Sequence, residues 1–231
     1  MVVYSPIIYV CGGNIYGDKD YYNTVVKSLF KNVFNVKIRP HEKKSNSVYG
    51  FYLCKKHLVN FFNKELNFPI GKKTYTVSVP IEIFRSKNLG LYSSFIRGFA
   101  DCDGGINFHR RYGTYSLFKR TYHVYPRVEI RSVSYRIIKQ ISFMLKRLKI
   151  NNKIELIVRH KETEADAYRI SLRGSKIIDF INKIGFNNLV HITKYLIWRK
   201  FGFCPPHTTL EERKKILKGE VSPYSYYGPV V

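Results

Sequence analysis

The chain has 231 residues, with 40 Lys and Arg against 16 Asp and Glu, a formal net charge of +24. At 45% apolar and 16% aromatic residues it can build a sizeable core, which excludes wholesale disorder. No apolar run approaches the roughly 20 residues a membrane span needs. The N-terminus MVVYSPIIYVCGG lacks the basic leader and cleavage site of a signal peptide, and Cys11, Cys54, Cys102 and Cys204 form no CxxC pair. An intracellular protein of the cytoplasm, nucleoid or organelle matrix, with reduced and buried thiols, is expected rather than a secreted one. The charge repels itself and points to a polyanionic partner, with nucleic acid as the default because phosphate neutralisation releases counterions. A lysine-rich proteome is the bland alternative, but thermophilic surfaces raise Glu along with Lys, and acids are scarce here.

In chain order, IIYVC (7–11) reads as a strand. From Tyr21 to Phe34 the apolar positions Val25, Val26, Leu29, Phe30 and Val33 recur at helical spacing. VKIRPH and VYGFYLC follow as strands, then KKHLVNFFNKELNFP as a second helix. The order returns in the second half. YPRVEIRS (125–132) is a strand, and SYRIIKQISFMLKRLKI is an amphipathic helix with Ile137, Ile138, Ile141, Met144, Leu145 and Leu148 inward. NKIELIVRH and AYRISLR are strands and GSKIIDFINKIGF a helix. This self-similarity reads as an internal duplication. The second copy carries an additional LGLYSSFIRGFADCDGGINFHRR (89–111) in front, where the first has only Met1–Pro6, so the first copy lacks its opening helix. Beyond the repeat, Pro205-Pro206 is expected to end the preceding helix and Thr209 to cap a short helix over Leu210–Leu217, with the last dozen residues extended.

Within the additional segment, Gly98 and Ala100 allow a second helix to approach closely. Gly104 and Gly105 can end the helix and turn into a strand. Asp101 and Asp103 stand at the helix C-terminus, where the dipole disfavours anions, so a divalent metal is one compensating charge and solvation is the other. FIRGFADCDGG (95–105) resembles the motif of the LAGLIDADG homing endonucleases, with Arg97 departing from that family's small residue. GKKTYTVSVP (71–80), YPRVEI and IGFNNLVHITK (184–194) also sit where the family has similar blocks, so the resemblance covers roughly residues 7–200.

The resemblance implies an α/β (α+β) fold of duplicated αββαββα units, the first truncated, whose antiparallel sheets lie in the DNA major groove. It divides the chain into a half-repeat without the motif helix (1–88), a complete repeat (89–203) and a C-terminal extension (204–231). It implies Asp103 and the backbone carbonyl of Cys102 as ligands of Mg2+ or another divalent cation. Lys194 and Lys73 would be the catalytic basic residues, with Lys72 a rival to Lys73. Gly98, Ala100 and Asp101 would be helix-interface residues. Strand alternation puts Asn107, His109 and Arg111, then Arg127, Glu129 and Arg131, then Arg169, Ser171 and Arg173 on faces able to contact bases or phosphates. The expected activity is metal-dependent cleavage of double-stranded DNA at an intron or intein insertion site. The alternative is an inactive DNA- or RNA-binding relative, a regulator or an intron maturase with intron RNA as partner. One motif per chain, where the family uses two, leaves two expectations: a homodimer through this helix that completes the site, or a monomer with one acid and little or no cleavage.

Overall fold

Aromatic side chains organise the first half. Strand β1 (Ile8–Gly12) leads to α1 (Ile15–Tyr21), which runs through a wide π-helical turn (Tyr22–Val26) into α2 (Lys27–Phe34). Strands β2 (His41–Lys43) and β3 (Val48–Leu53) follow, then α3 (Lys56–Asn60) and a second π turn (Phe61–Glu65). The three strands form an antiparallel sheet in the order β1-β3-β2. Tyr22 packs edge-on against Tyr49 and Phe51, and Phe30 lies 5.0 Å from Phe51 between ring centroids. The π turn explains a departure from the sequence expectation. It inserts an extra residue per turn, so the apolar stripe rotates: Phe30 and Phe34 face the sheet while Leu29 and Val33 are 51% and 65% exposed. The segment VKIRPH is also not a strand until His41; Val36 and Ile38 instead insert into the core from irregular backbone.

The computed structural model describes residues 7–12, 15–43, 48–71, 74–109, 125–159 and 165–227. A short α4 (Ile81–Arg85) precedes the motif helix α5 (Leu89–Asp103), whose N-terminus is capped by Asn88 through the amides of Gly90 and Leu91. Then come β4 (Gly104–His109), β5 (Tyr125–Ser132), α6 (Tyr135–Arg147), β6 (Ile154–Ile157), β7 (Ala167–Leu172), α7 (Ser175–Lys183) and α8 (Leu189–Phe201). The second sheet is antiparallel in the order β4-β5-β7-β6. Its apolar face pairs Ile106 with Val128, Val128 with Leu172 and Ile130 with Ile170. Helix α6 buries Ile137, Ile138, Ile141, Met144 and Leu145 at helical spacing against that face.

The order β1-β3-β2 repeats β5-β7-β6, with a long helix in the same place in each. Among the described residues the first half therefore lacks a counterpart of β4 as well as of α5. At the C-terminal end, Gly202 in the left-handed conformation (φ 77°) closes α8 three residues before Pro205, so the prolines are not the stop. Helix α9 (Leu210–Lys218) starts with the Thr209–Glu212 capping box, and Pro223–Tyr227 form a 3-10 turn where extended chain was expected. The cysteine expectation holds for Cys204 alone: Cys11, Cys54 and Cys102 are free and exposed. No helix of the described residues is long and apolar enough to cross a membrane.

Ile138 is fully buried at the centre of the larger core. Ile138→Ala should destabilise the chain by about 2–5 kcal/mol, read as a lower denaturant midpoint at unchanged m-value.

Candidate nucleic-acid interface

The two aspartates of the motif have different surroundings. Asp101 is 3% exposed. Its carboxylate accepts the amides of Asn187 (3.0 and 3.1 Å) and Asn188 (2.9 Å), with the Tyr21 hydroxyl at 3.5 Å. The Asn188 side chain in turn donates to the Asp101 carbonyl (3.2 Å) and caps α8. Burial pushes the Asp101 carboxyl up, while the two backbone amides and the Arg97 charge pull it back. The compensation that a helix C-terminus withholds thus comes from the N-terminus of α8, and Asp101 has no need of a metal. Asp103 is exposed two residues further on. Its charge acts, together with Asp101 and Asp18, on the Cys102 thiol, which burial and these acids push up to about 12 although one side of the residue is open to solvent. Asp18 of α1 was not foreseen from sequence. Its carboxylate sits where a side chain on Gly12 would be.

Helix α8, held by Asp101, crosses the start of β4. Its His191 ring occupies the space where a Cβ of Gly105 would stand, which fixes glycine there (φ 147°). Burial, with the Lys194 charge beside it, pushes His191 down to about 4, so the imidazole is neutral at neutral pH; its Nδ1 has no hydrogen-bond partner among the described residues. One turn on, the Lys194 ammonium lies 3.5 Å from the Ile106 carbonyl, lowered by burial and by Arg213. Lys72 and Lys73 lie outside the described residues.

The polar face of the second sheet is built by the same register that builds the core. Asn107 pairs with Arg127, Gly105 with Glu129, Glu129 with Ser171, Arg131 with Arg169, and Arg169 with Glu155. Glu129 was expected among the contact residues. It is instead 1% exposed and lies beneath them. Its oxygens accept from Asn107 (3.0 Å), Arg127 (3.3 Å), Arg169 (3.2 Å) and Arg131. Glu155 holds Arg169 from the other side at 2.7 Å. Burial alone would raise the Glu129 carboxyl; the bond and charge of Arg131, with Asn107 and Arg169, hold it below its ordinary range. Three guanidiniums are thus fixed on one surface, with Arg173 exposed beside them. Arg111 lies outside the described residues; the His109 backbone pairs with Tyr125 at the end of β4.

On α5, Ala100 is fully buried in the chain's own core. Gly98 is exposed, with nothing within 4 Å of where its Cβ would be. Leu91, 45% exposed, continues this stripe toward the helix N-terminus. The departing Arg97 turns away and donates through Nε to the Ile184 carbonyl at 2.6 Å. Among the described residues no three of His, Cys, Asp and Glu are grouped to hold a metal ion.

Two outcomes test this geometry. Asp101→Asn keeps an oxygen for the two amides but removes the charge they meet and turns the second oxygen into a donor; it should cost about 1–3 kcal/mol, read as a lower thermal midpoint. Glu129→Gln should remove a pH-dependent increment: a depressed folded value stabilises above the unfolded glutamate value of about 4.3, and the increment is lost as pH falls through the folded one. Below that window the midpoints of variant and parent should converge.

Comparison with known proteins places this geometry. Residues 90–185 match the family described as a LAGLIDADG-like domain. The structure is similar to variants of the homing endonuclease I-DmoI (17% identity, TM-score 0.50, 78% of this chain and 79% of that one). One similar I-DmoI structure holds its target DNA in the presence of Mg. It is similar also to the meganuclease I-SmaMI bound to uncleavable DNA (13% identity, TM-score 0.50, 97% and 86%). In sequence, 171 residues are 26% identical to a segment of the probable translation initiation factor IF-2 of Methanocaldococcus jannaschii, covering 74% of this chain and 13% of that protein. The motif helix, its two acids and the sheet that follows thus match a LAGLIDADG-like domain, in a chain whose fold is similar to that of the homing endonucleases.

Proposed function

We propose that the chain is a site-specific endonuclease of double-stranded DNA, of the homing type, hydrolysing phosphodiesters with a divalent cation at Asp103. The observation that carries this reading is the placement of the acidic end of α5 beside a sheet face on which Glu129 fixes three arginines. A strand ribbon fits the major groove, and guanidiniums there can read guanine or grip phosphate. The excess of 24 positive charges supports the same partner. The IF-2 segment supports an element lodged in a host coding sequence, since only 13% of that protein is matched. On this reading residues 1–88 are a half-repeat, 89–203 the complete repeat and 204–231 an extension, and the protein works inside the cell.

Oxygen donors suit Mg2+ or a similar hard cation, so Asp103 and the Cys102 carbonyl fit as part of a ligand set that DNA phosphates must complete. When bound, such a cation activates water and stabilises the leaving oxygen. This chain's residues supply the rest: Lys194, with Lys73 of the first half, as bases or charge stabilisers, and neutral His191 packed against the turn into β4. A second copy docked along Gly98 and Leu91 would bring two Asp103 side chains together. The single motif per chain favours one other reading, a binding protein without hydrolysis acting on DNA or on intron RNA.

Incubation with a plasmid carrying the uninterrupted host locus decides between them: cutting with Mg2+ and none with EDTA is expected, and binding without cutting under all metals selects the second reading. Asp103→Asn should abolish cleavage with DNA binding retained, whereas wild-type cleavage by this variant removes Asp103 from the metal site. Binding should weaken at least tenfold between about 50 and 200 mM salt. Gly98→Trp should convert a sedimenting dimer to monomer and abolish double-strand cuts. A wild-type monomer that still makes them at great dilution defeats the pairing.

A further inference from the structure

Between α8, β4 and the start of the extension lies a cavity of about 710 Å3, lined by Asn107, Phe108, Lys194, Cys204, His207 and Arg213 among others. Two cations meet at it. Arg213 is 4% exposed, and every hydrogen-bond acceptor it has is a neutral oxygen: Thr193 Oγ1 at 3.0 Å, Thr208 Oγ1 at 3.4 Å and the Thr208 carbonyl. Lys194 has the Ile106 carbonyl at 3.5 Å. Among the described residues neither cation makes an ion pair. The acids nearby are committed elsewhere: Glu212 accepts from the Thr209 amide and hydroxyl, and Glu211, at the cavity, pairs with Lys214 at 2.8 Å. Cys204 does not serve as an anion, because burial pushes its thiol up to about 11.

A buried guanidinium beside a half-buried ammonium, with neither in an ion pair among the described residues, is an unfavourable arrangement that a bound anion relieves. Asn107 belongs both to this cavity and to the arginine-bearing face, so the cavity opens where nucleic acid would lie. Its size exceeds that of a phosphate and admits the attached sugar, for which Phe108, Val190 and Pro206 offer apolar walls. We propose that this cavity is a phosphate site, with Lys194 and Arg213 as its cations, that receives a backbone phosphate of nucleic acid lying across the polar sheet face. The extension thereby has a role: with Thr208 and Arg213 it completes a site of whose two cations α8 supplies only Lys194. This inference rests on the nucleic-acid-binding reading but not on hydrolysis.

The test uses the full chain with inorganic phosphate as probe, followed by duplex DNA. Phosphate should raise the thermal midpoint more than chloride at equal ionic strength, as expected of a ligand that binds the folded state. Lys194→Met, which keeps the stem in place, should lose that increment and lower the slope of log affinity for DNA against log salt by about 1. Glu211→Gln, on the exposed side of α9, should enlarge the phosphate increment without risk to the fold. Equal midpoints in phosphate and chloride for the parent and for Glu211→Gln would overturn the site. A phosphate increment lost in Lys194→Met while the DNA salt slope stays unchanged would mean a free phosphate ligand and overturn the backbone assignment. Failure to cut DNA would count against the proposed hydrolysis and leave these readouts untouched.

Discussion

The capture of the amides of Asn187 and Asn188 by the Asp101 carboxylate is the constraint on which the junction of α5, α8 and β4 is built. It joins the C-terminus of one helix to the N-terminus of another, so the unfavourable end of one dipole is met by the favourable end of the other. Hydrogen bonds to a charged group contribute about 1.5–3 kcal/mol each when buried. Because α8 begins there, the positions of His191, Thr193 and Lys194 follow within two turns. Thr193 then holds Arg213, and α9 is tied back to α1 by Lys214 and Asp20 at 2.7 Å. The Tyr21 hydroxyl, reaching the same carboxylate, connects the first half to this point. One side chain thus sets the relation of four elements distant in sequence.

Glu129 plays the corresponding part on the sheet. An arginine free in solution samples many rotamers and loses that freedom on binding. Here three guanidiniums are held before any ligand arrives, and the strand pairing decides which ones. The carboxylate is buried beneath the four side chains that donate to it, with Gly105 opposite it in the ladder. The glycine that makes room for His191 is therefore also the one beside which the anchor of the arginines is placed. The acidic end of α5 and the polar face of the sheet thus meet at a single residue.

Much of this was legible in the sequence. The 3.6-residue period of α6 and the alternation in β4, β5 and β7 reflect local rules, and the parity of Arg127, Arg131, Arg169 and Ser171 follows from strand geometry alone. The outward rotation of Leu29 and Val33 was not legible, because nothing in the apolar spacing announces a π turn. Nor was the burial of Glu129 visible, since alternation gives the face a residue lies on and not its depth. Asp101 could be separated from Asp103 by the motif, but its partners lie 86 and 87 positions away. His191 and Arg213 left no local signal at all; their character comes from what α8 and α9 are packed against.

That the described residues of the first half hold no counterpart of α5 or β4 bears on how the proposed cut would be made. With Asp101 fully occupied, Asp103 is the motif acid placed at the open end of α5. Gly98 and Asp103 are five residues apart, or about 7.5 Å along the axis. Two copies of α5 meeting at Gly98 with axes about 8 Å apart and crossing at about 50° would have those axes about 10 Å apart at the level of Asp103. Five residues carry Asp103 about 140° around the helix from Gly98, so its carboxylate would have to swing back from the helix end toward the crossing for the two acids to share metal ions about 3.5–4 Å apart. A bulkier residue at 98 would widen the crossing and move the acids further apart. On the proposed pairing, the open space at Gly98 and the reach of Asp103 would be one requirement seen at two places on a single helix.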